Sequence, residues 1–345
     1  MASMSNGFRF LLLPLWCLVA FPGWIASAAA QESPSAKSDE GILSLTFEND
    51  LVTGTDRDYT HGSLLTWLSP EVQGEHWARR LIERVPGLTY GDRLRYSFSL
   101  GQNIYTPKDT QTRRQLTNDR PYAGWLYLGV SAVAYDAQYE LMQSFEVNLG
   151  VVGPPALGRQ VQNTVHRLID SPETKGWKHQ LDTEPGLVVS YERKWREFHY
   201  RPSEGRFGID MLPHVGVSLG NIATYVAAGG EVRVGFDLEE DFGAPRIRPS
   251  PPGSTFFRSG GLSGYVFLGA EGRLVARDIF LDGNTFGGGH SVSRRPYVGD
   301  FQAGVSLNWG DFRVAYSQVF RTPQIRGRKA WDRFGALSAS WRMQF

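Results

Sequence analysis

Along most of the chain, apolar and polar residues alternate with a period of two, the mark of a half-exposed β-strand. Phe207, Ile209, Met211, Val215, Val217 and Leu219 share one face, and Arg206, Asp210, His214 and Ser218 the other. Val226, Ala228, Val232, Val234 and Phe236 likewise oppose Glu231, Arg233 and Asp237. Tyr297, Phe301, Ala303, Val305, Leu307 and Trp309 oppose Asp300, Gln302, Ser306 and Asn308, and a last run from Leu337 ends on the aromatic Phe345. The pattern predicts twelve strands, at 41–50, 58–68, 94–105, 122–136, 139–152, 184–197, 206–219, 224–237, 261–275, 296–309, 311–321 and 332–345.

A soluble β-sandwich carries the same alternation. Three features favour instead an all-β, twelve-stranded antiparallel transmembrane β-barrel of the bacterial outer membrane. The runs exceed the ~5–6 residues usual in soluble sheets and suit the ~9–11 needed to cross a bilayer at a tilt. Aromatics gather near strand ends, at Trp67, Tyr96, Tyr122, Trp125, Trp195, Tyr297, Trp309 and Trp341, as in an interfacial girdle. The chain also stops on an aromatic strand residue, and the strand count is even, as a closed antiparallel barrel requires. With the amino terminus on the inner side, two inner connections are long: 69–93, where Trp77, Leu81, Ile82 and Val85 suggest a short amphipathic helix, and the Pro-rich 238–260.

Composition narrows the class further. Residues 1–30 read as a signal peptide, with Arg9, an apolar stretch from Phe10 to Ile25 and small-x-small cleavage sites at Ala26–Ala28 and Ala28–Ala30. Residues 31–345 are then one barrel domain, its active site on the extracellular side. The single cysteine, Cys17, lies in the signal peptide, so the mature chain has no disulfide and no cysteine metal site. No run of ~20 apolar residues follows, which excludes a helical membrane protein. The formal net charge of +1 argues against a nucleic-acid partner. Nothing in the sequence indicates an oligomer.

Chemistry collects on the outer side. Between Asn49 and Gly62 stand three Asp, an Asn, an Arg, a Tyr, a His and three Thr, far more acceptors than a surface turn requires. Asn49, Asp50 and Asp56 offer oxygen ligands to a hard cation such as Ca²⁺, without the spacing of an EF-hand loop. A solvated hairpin rich in Asx residues is the plain alternative. Strict alternation puts Asn49 and Asp50 on opposite faces, so both line one site only if the strand ends or bulges there. In the 153–183 connection, Val161, Val165, Leu168 and Ile169 are spaced as one face of a short helix that carries His166. A neutral imidazole there suits general-base attack by water, with Glu173 or Asp170 to orient it, although a surface histidine has the same spacing. His61 is the nearest competitor. Lys108, Arg113, Arg114 and Arg120 suit phosphate on a glycolipid headgroup, or are solvated loop charges. There is no G-x-S-x-G motif and no serine evident as a nucleophile, which favours water as the attacking group. On this register the groups gather at one barrel mouth.

Several blocks resemble the outer-membrane lipid A 3′-O-deacylases: Glu48-Asn49-Asp50 with Thr55 to Gly62, Gly101 to Pro107, Asn118 to Trp125, Val151 to Pro154, and Val161-Gln162-Asn163 to His166-Arg167 with Trp177 and Gln180. They run in order through the first half of the chain; the second half matches only as barrel strands. The resemblance implies removal of the 3′-linked acyloxyacyl chain from lipid A, with Ca²⁺ as cofactor and lipopolysaccharide and the bilayer as partners. It implies that His166 activates water, Asp50 holds the calcium, Asn49 lies near the oxyanion, Thr60 lines the site and Glu173 orients His166. A basic residue of the second outer loop, Lys108 or Arg113, is expected to contact substrate. Rival expectations are a silent barrel, as a narrow channel or adhesin, and a serine-dependent outer-membrane phospholipase.

Overall fold

The computed structural model describes residues 40–50, 58–72, 79–80, 93–200, 202, 206–238, 241–247 and 260–344. Its strands are β1 (Glu40–Asn49), β2 (Asp58–Leu68), β3 (Arg93–Thr106), β4 (Ala123–Tyr135), β5 (Leu141–Val152), β6 (Glu184–Trp195), the three-residue β7 (Phe198–Tyr200), β8 (Phe207–Gly220), β9 (Ala223–Phe236), β10 (Gly260–Asp278), β11 (Tyr297–Gly310), β12 (Phe312–Arg321) and β13 (Asp332–Gln344). Neighbours in sequence pair antiparallel, except that β6 pairs with β8 while the short β7 pairs with β8 alone, and β1 pairs with β13. Twelve long strands therefore close on themselves, and the barrel leaves no sheet edge along its wall. The expected strands are all present, with β10 running three residues further than its alternation indicated. The expected signal peptide, the candidate ligand Asp56, the apolar positions of the 69–93 connection and Phe345 lie outside the described residues.

The period of two fixes which side of the wall each residue faces. Leu45, Phe47, Leu65, Phe98, Leu100, Leu128, Val130, Val232, Val234, Leu307 and Trp341 stand exposed on the outer surface, while the alternate positions are buried and polar. Facing hydroxyls pair across strands in the lumen, Ser44 with Ser340 and Ser97 with Ser131, each at 2.7 Å. This inversion of the usual rule follows from an apolar solvent outside and a polar filling inside. Of the expected girdle, Tyr297, Trp309 and Trp341 are exposed, whereas Trp125 points into the lumen and Tyr122 is buried.

The long inner connection after β9 has a use. Residues 241–247 fold back into the lumen, where Asp241 and Phe242 are fully buried. Asp241 is held by Arg233 and, at 3.2 Å, by Arg313, which also donates to the Gly243 carbonyl at 2.8 Å. The Ile247 amide donates to Glu48 Oε1 at 3.0 Å, and Arg246 to Gln302 at 2.7 Å. Burial disfavours the Asp241 charge, but Arg313 and Arg233 outweigh it and hold the carboxyl below its ordinary value of 3.8. The other end of the lumen is capped by the one-turn helix that follows β10. There Ile279 and Phe280 pack with Ala123, Trp125, Val152, Leu181, Val188 and Ile222, and Phe280 stacks on Tyr105 at 3.8 Å.

Candidate active site on the outer wall

The candidate groups, expected to gather at one barrel mouth, stand on helix α1 (Gly158–Leu168) and the first hairpin, both at the outer face of the wall. Helix α1 lies against the outward faces of β3 and β4. Outward-pointing Gln102 donates to the Ala156 carbonyl at 2.7 Å, and outward-pointing Ile104 packs with Tyr122, Trp177 and Val161. The approach is close because two glycines meet: a Cβ on Gly124 would stand 3.1 Å from Ala156 Cβ and 3.3 Å from Gly158 Cα. A Cβ on Gly158 would collide with the Trp177 ring at 2.6 Å. The sequence signal was available, since Ile104 and Gln102 share parity with the lipid-facing Phe98 and Leu100.

Helix α1 buries a polar face turned from the one its apolar spacing predicted, with Val161 alone of that stripe packed on the wall cluster. Gln162, Asn163 and His166 are buried at i, i+1 and i+4, whereas Leu168 is 80% exposed. Gln162 accepts from the Trp177 indole N–H at 2.9 Å. Asn163 Oδ1 accepts from the Thr174 amide at 3.1 Å and its hydroxyl at 2.7 Å. His166 is 2% exposed and its Nδ1 lies 2.7 Å from the Pro172 carbonyl. A carbonyl only accepts, so the proton sits on Nδ1 and Nε2 is the ring's basic nitrogen.

Glu173 does not make that contact. Its carboxylate pairs with Arg167 at 2.8 Å, with both side chains more than half exposed, so the backbone of Pro172 orients the imidazole instead. The other expected loop residues divide. Arg120 is buried, donates to Gln324 at 3.0 Å and lies over the Tyr105 ring, so it braces the outer loops. Lys108 and Arg113 remain exposed beside α1's supporting loop, Lys108 through its backbone on Asp119 and Arg113 through its carbonyl on His179.

The first hairpin supplies the remaining groups. Strand β1 ends at Asn49, whose parity is that of outward Phe47 and Leu45, and Asp50 follows it, 1% exposed. The register of β2 on β3 shifts between Tyr59 and His61, so a bulge at Thr60 lets adjacent residues share the outer face. Thr60 and Thr106 hydroxyls meet at 2.6 Å on that face. His61 pairs across the ladder with Asn49, the amide nitrogen 3.4 Å from Nδ1, and its Nε2 lies 2.6 Å from Ser63 Oγ. The sequence reading missed Ser63, Thr106 and the Pro172 carbonyl. A strand spacing of two between His61 and Ser63 was the only signal for the first; the other two contacts join residues far apart in sequence or through backbone.

The donor chemistry at Asp50 is that of a hard cation, a carboxylate with amide and hydroxyl oxygens nearby in sequence and on the adjacent strand. Among the described residues no three His, Cys, Asp or Glu converge as a metal cluster, so further ligands would be neutral oxygens and water.

Comparison with known proteins agrees with this architecture. The family model described as outer membrane protein LpxR matches residues 12–343. The chain belongs to that family. LpxR from Salmonella typhimurium superposes with a TM-score of 0.70 at 20% identity, over 87% of this chain and 99% of that one. The β domain of the Bordetella autotransporter BrkA aligns over 89% of this chain and all of its own, at 12% identity and a TM-score of 0.43. No curated protein sequence matches the chain. The protein is accordingly an outer-membrane β-barrel, its apolar outer surface facing lipid.

Proposed function

We propose that this member of the LpxR family is a lipid A 3′-O-deacylase, a carboxylic-ester hydrolase that releases the 3′-acyloxyacyl chain with water as the attacking group. The observation that carries the reading is a buried imidazole with its proton fixed on Nδ1, docked on the lipid-facing wall of a barrel whose lumen is plugged. A site there meets an ester of a lipid that stays in the outer leaflet, and a plugged lumen speaks against a channel.

In this reading His166 Nε2 takes a proton from water as the oxygen attacks the ester carbonyl, and returns it to the departing sugar alkoxide. The Asn49 amide and the Thr60 hydroxyl line the place where the carbonyl oxygen gains charge. Asp50 would hold a calcium ion, whose contribution is electrostatic stabilisation of that oxygen. Lys108 and Arg113, exposed beside the loop that supports α1, suit the phosphates of the glucosamine backbone.

Mass spectrometry of lipid A from cells that express the chain tests the reading. Wild type removes the 3′ acyloxyacyl mass, and His166→Ala and Asp50→Ala do not. An unchanged lipid A profile with wild type and calcium present refutes the function. Activity that survives EDTA refutes the metal role alone.

A further inference from the structure

We propose a second acyl-transfer centre on the same outer wall, with Ser63 as nucleophile, His61 as its base and Asn49 as the group that positions His61. The three residues form one patch on two paired strands. Asn49 stands directly across from His61, and Ser63 follows His61 by two, the spacing that returns a strand to the same face. His61 Nε2 to Ser63 Oγ is 2.6 Å, within the range for a nucleophile and its base. The Asn49 amide reaches the other ring nitrogen, Nδ1, at 3.4 Å, the looser contact usual before substrate binds. This is the connectivity of hydroxyl, imidazole and orienting amide or carboxylate that serves acyl transfer on unrelated folds.

One rotation sets the active tautomer. As placed, the Asn49 amide nitrogen donates to Nδ1, which leaves the His61 proton on Nε2 and directed at Ser63. Turning the amide over presents Oδ1 to Nδ1–H and frees Nε2 to accept the Ser63 proton; the oxygen and nitrogen of such an amide are assigned from the hydrogen-bond network. The surroundings point to a lipid substrate. Outward Phe47, Leu65 and Leu100 flank the patch, so its three polar side chains sit beside residues that meet hydrocarbon. Polar groups there are costly and mark function. Gln102, across from Ser63 on β3, lies on the same face with its amide donating to the Ala156 carbonyl.

The reaction class is hydrolysis of a carboxylic ester in a bilayer lipid. Ser63 Oγ attacks the carbonyl carbon while its proton passes to His61 Nε2, and the alcohol leaves with that proton. The acyl group is then held on Ser63 until water, deprotonated by His61, releases it as fatty acid. No oxidant, reductant or other co-reactant is required.

The purified full chain in detergent, treated with a fluorophosphonate probe and mapped by peptide mass spectrometry, tests the assignment. An adduct on Ser63 is expected in wild type and in His166→Ala, which separates this centre from the lipid A reading. The adduct should be absent in Ser63→Ala and form at least ~100-fold more slowly in His61→Ala. Asn49→Ala should slow it about tenfold and Asn49→Asp restore it, as a positioning role requires. In the His166→Ala background, fatty acid release from phosphatidylethanolamine micelles should depend on Ser63. Heat-modifiable migration on gels confirms that each variant is a folded barrel. Folded wild type that gains no adduct on Ser63, or labels as fast in His61→Ala, overturns the proposal.

Discussion

Two segments leave the barrel and dock back onto it, one inside and one outside, and they are fastened by different chemistry. The plug, residues 241–247, is held in the lumen by charge: Asp241 between Arg233 and Arg313, Arg313 on the Gly243 carbonyl, and Glu48 on the Ile247 amide. Helix α1 is held on the outer wall by shape and neutral hydrogen bonds: Gly124 against Gly158, Trp177 to Gln162, Thr174 to Asn163. In the plug every carboxylate oxygen of Asp241 meets a guanidinium, which makes a fixed structural element. On α1 the neutral network holds the His166 ring by Nδ1, which faces the Pro172 carbonyl. Paired charge fastens the plug in the lumen, and neutral packing seats the helix that carries His166.

Breaking the plug should produce the larger stability effect. Asp241→Ala takes the shared carboxylate from two buried guanidiniums, of which Arg233 keeps Asp210, a loss of at most about 3–5 kcal/mol. It should lower the temperature at which the barrel loses its folded migration and raise conductance in planar bilayers. Because the Asp241 pKa is depressed, its contribution is fully present above the ordinary carboxyl value of 3.8 and is lost as pH falls through the lower folded value. Acid titration of wild type should therefore show a destabilising step that Asp241→Ala lacks.

On the outer wall, Gly124→Val drives a side chain into Ala156 and Gly158, costing about 1–3 kcal/mol. Lipid A deacylation should fall much further than stability, because His166 moves with the helix; equal activity would separate His166 from the reaction. Trp177→Phe removes one indole hydrogen bond, worth about 1 kcal/mol. It should raise amide hydrogen exchange in α1 without altering the plug. Glu173→Gln breaks only the exposed pair with Arg167, an effect below about 1 kcal/mol. Its turnover should stay near wild type, and a drop of tenfold or more would return the orienting role to Glu173.

The legibility of the chain tracks the range of the interactions. Strand alternation is local, so Asp210, His214, Glu231 and Arg233 could be set in the lumen and Met211, Val215, Val232 and Val234 outside from spacing alone. Helix α1 was legible as a helix, but its orientation was not. Val161, Val165, Leu168 and Ile169 look like a core-facing stripe only if the solvent is water; beside a lipid-facing wall Leu168 and Ile169 turn outward, Val161 still packs on the wall, and Gln162, Asn163 and His166 turn in. The plug was visible only as an awkward length, because Asp241 meets Arg313 across 72 positions of sequence.

By itself the sequence determined the barrel, its closure by an even set of strands, the face of nearly every strand residue and, through ordered motifs, the kinship with lipid A deacylases. These follow from a period of two and from short motifs, both local in the chain. Only the tertiary structure decided that the lumen is plugged, that the His166 helix lies on the outer wall, that Pro172 rather than Glu173 orients its imidazole, and that His61 meets Ser63 beside Asn49. Each of those depends on where distant strands and loops come together, and on which side of the wall is dry.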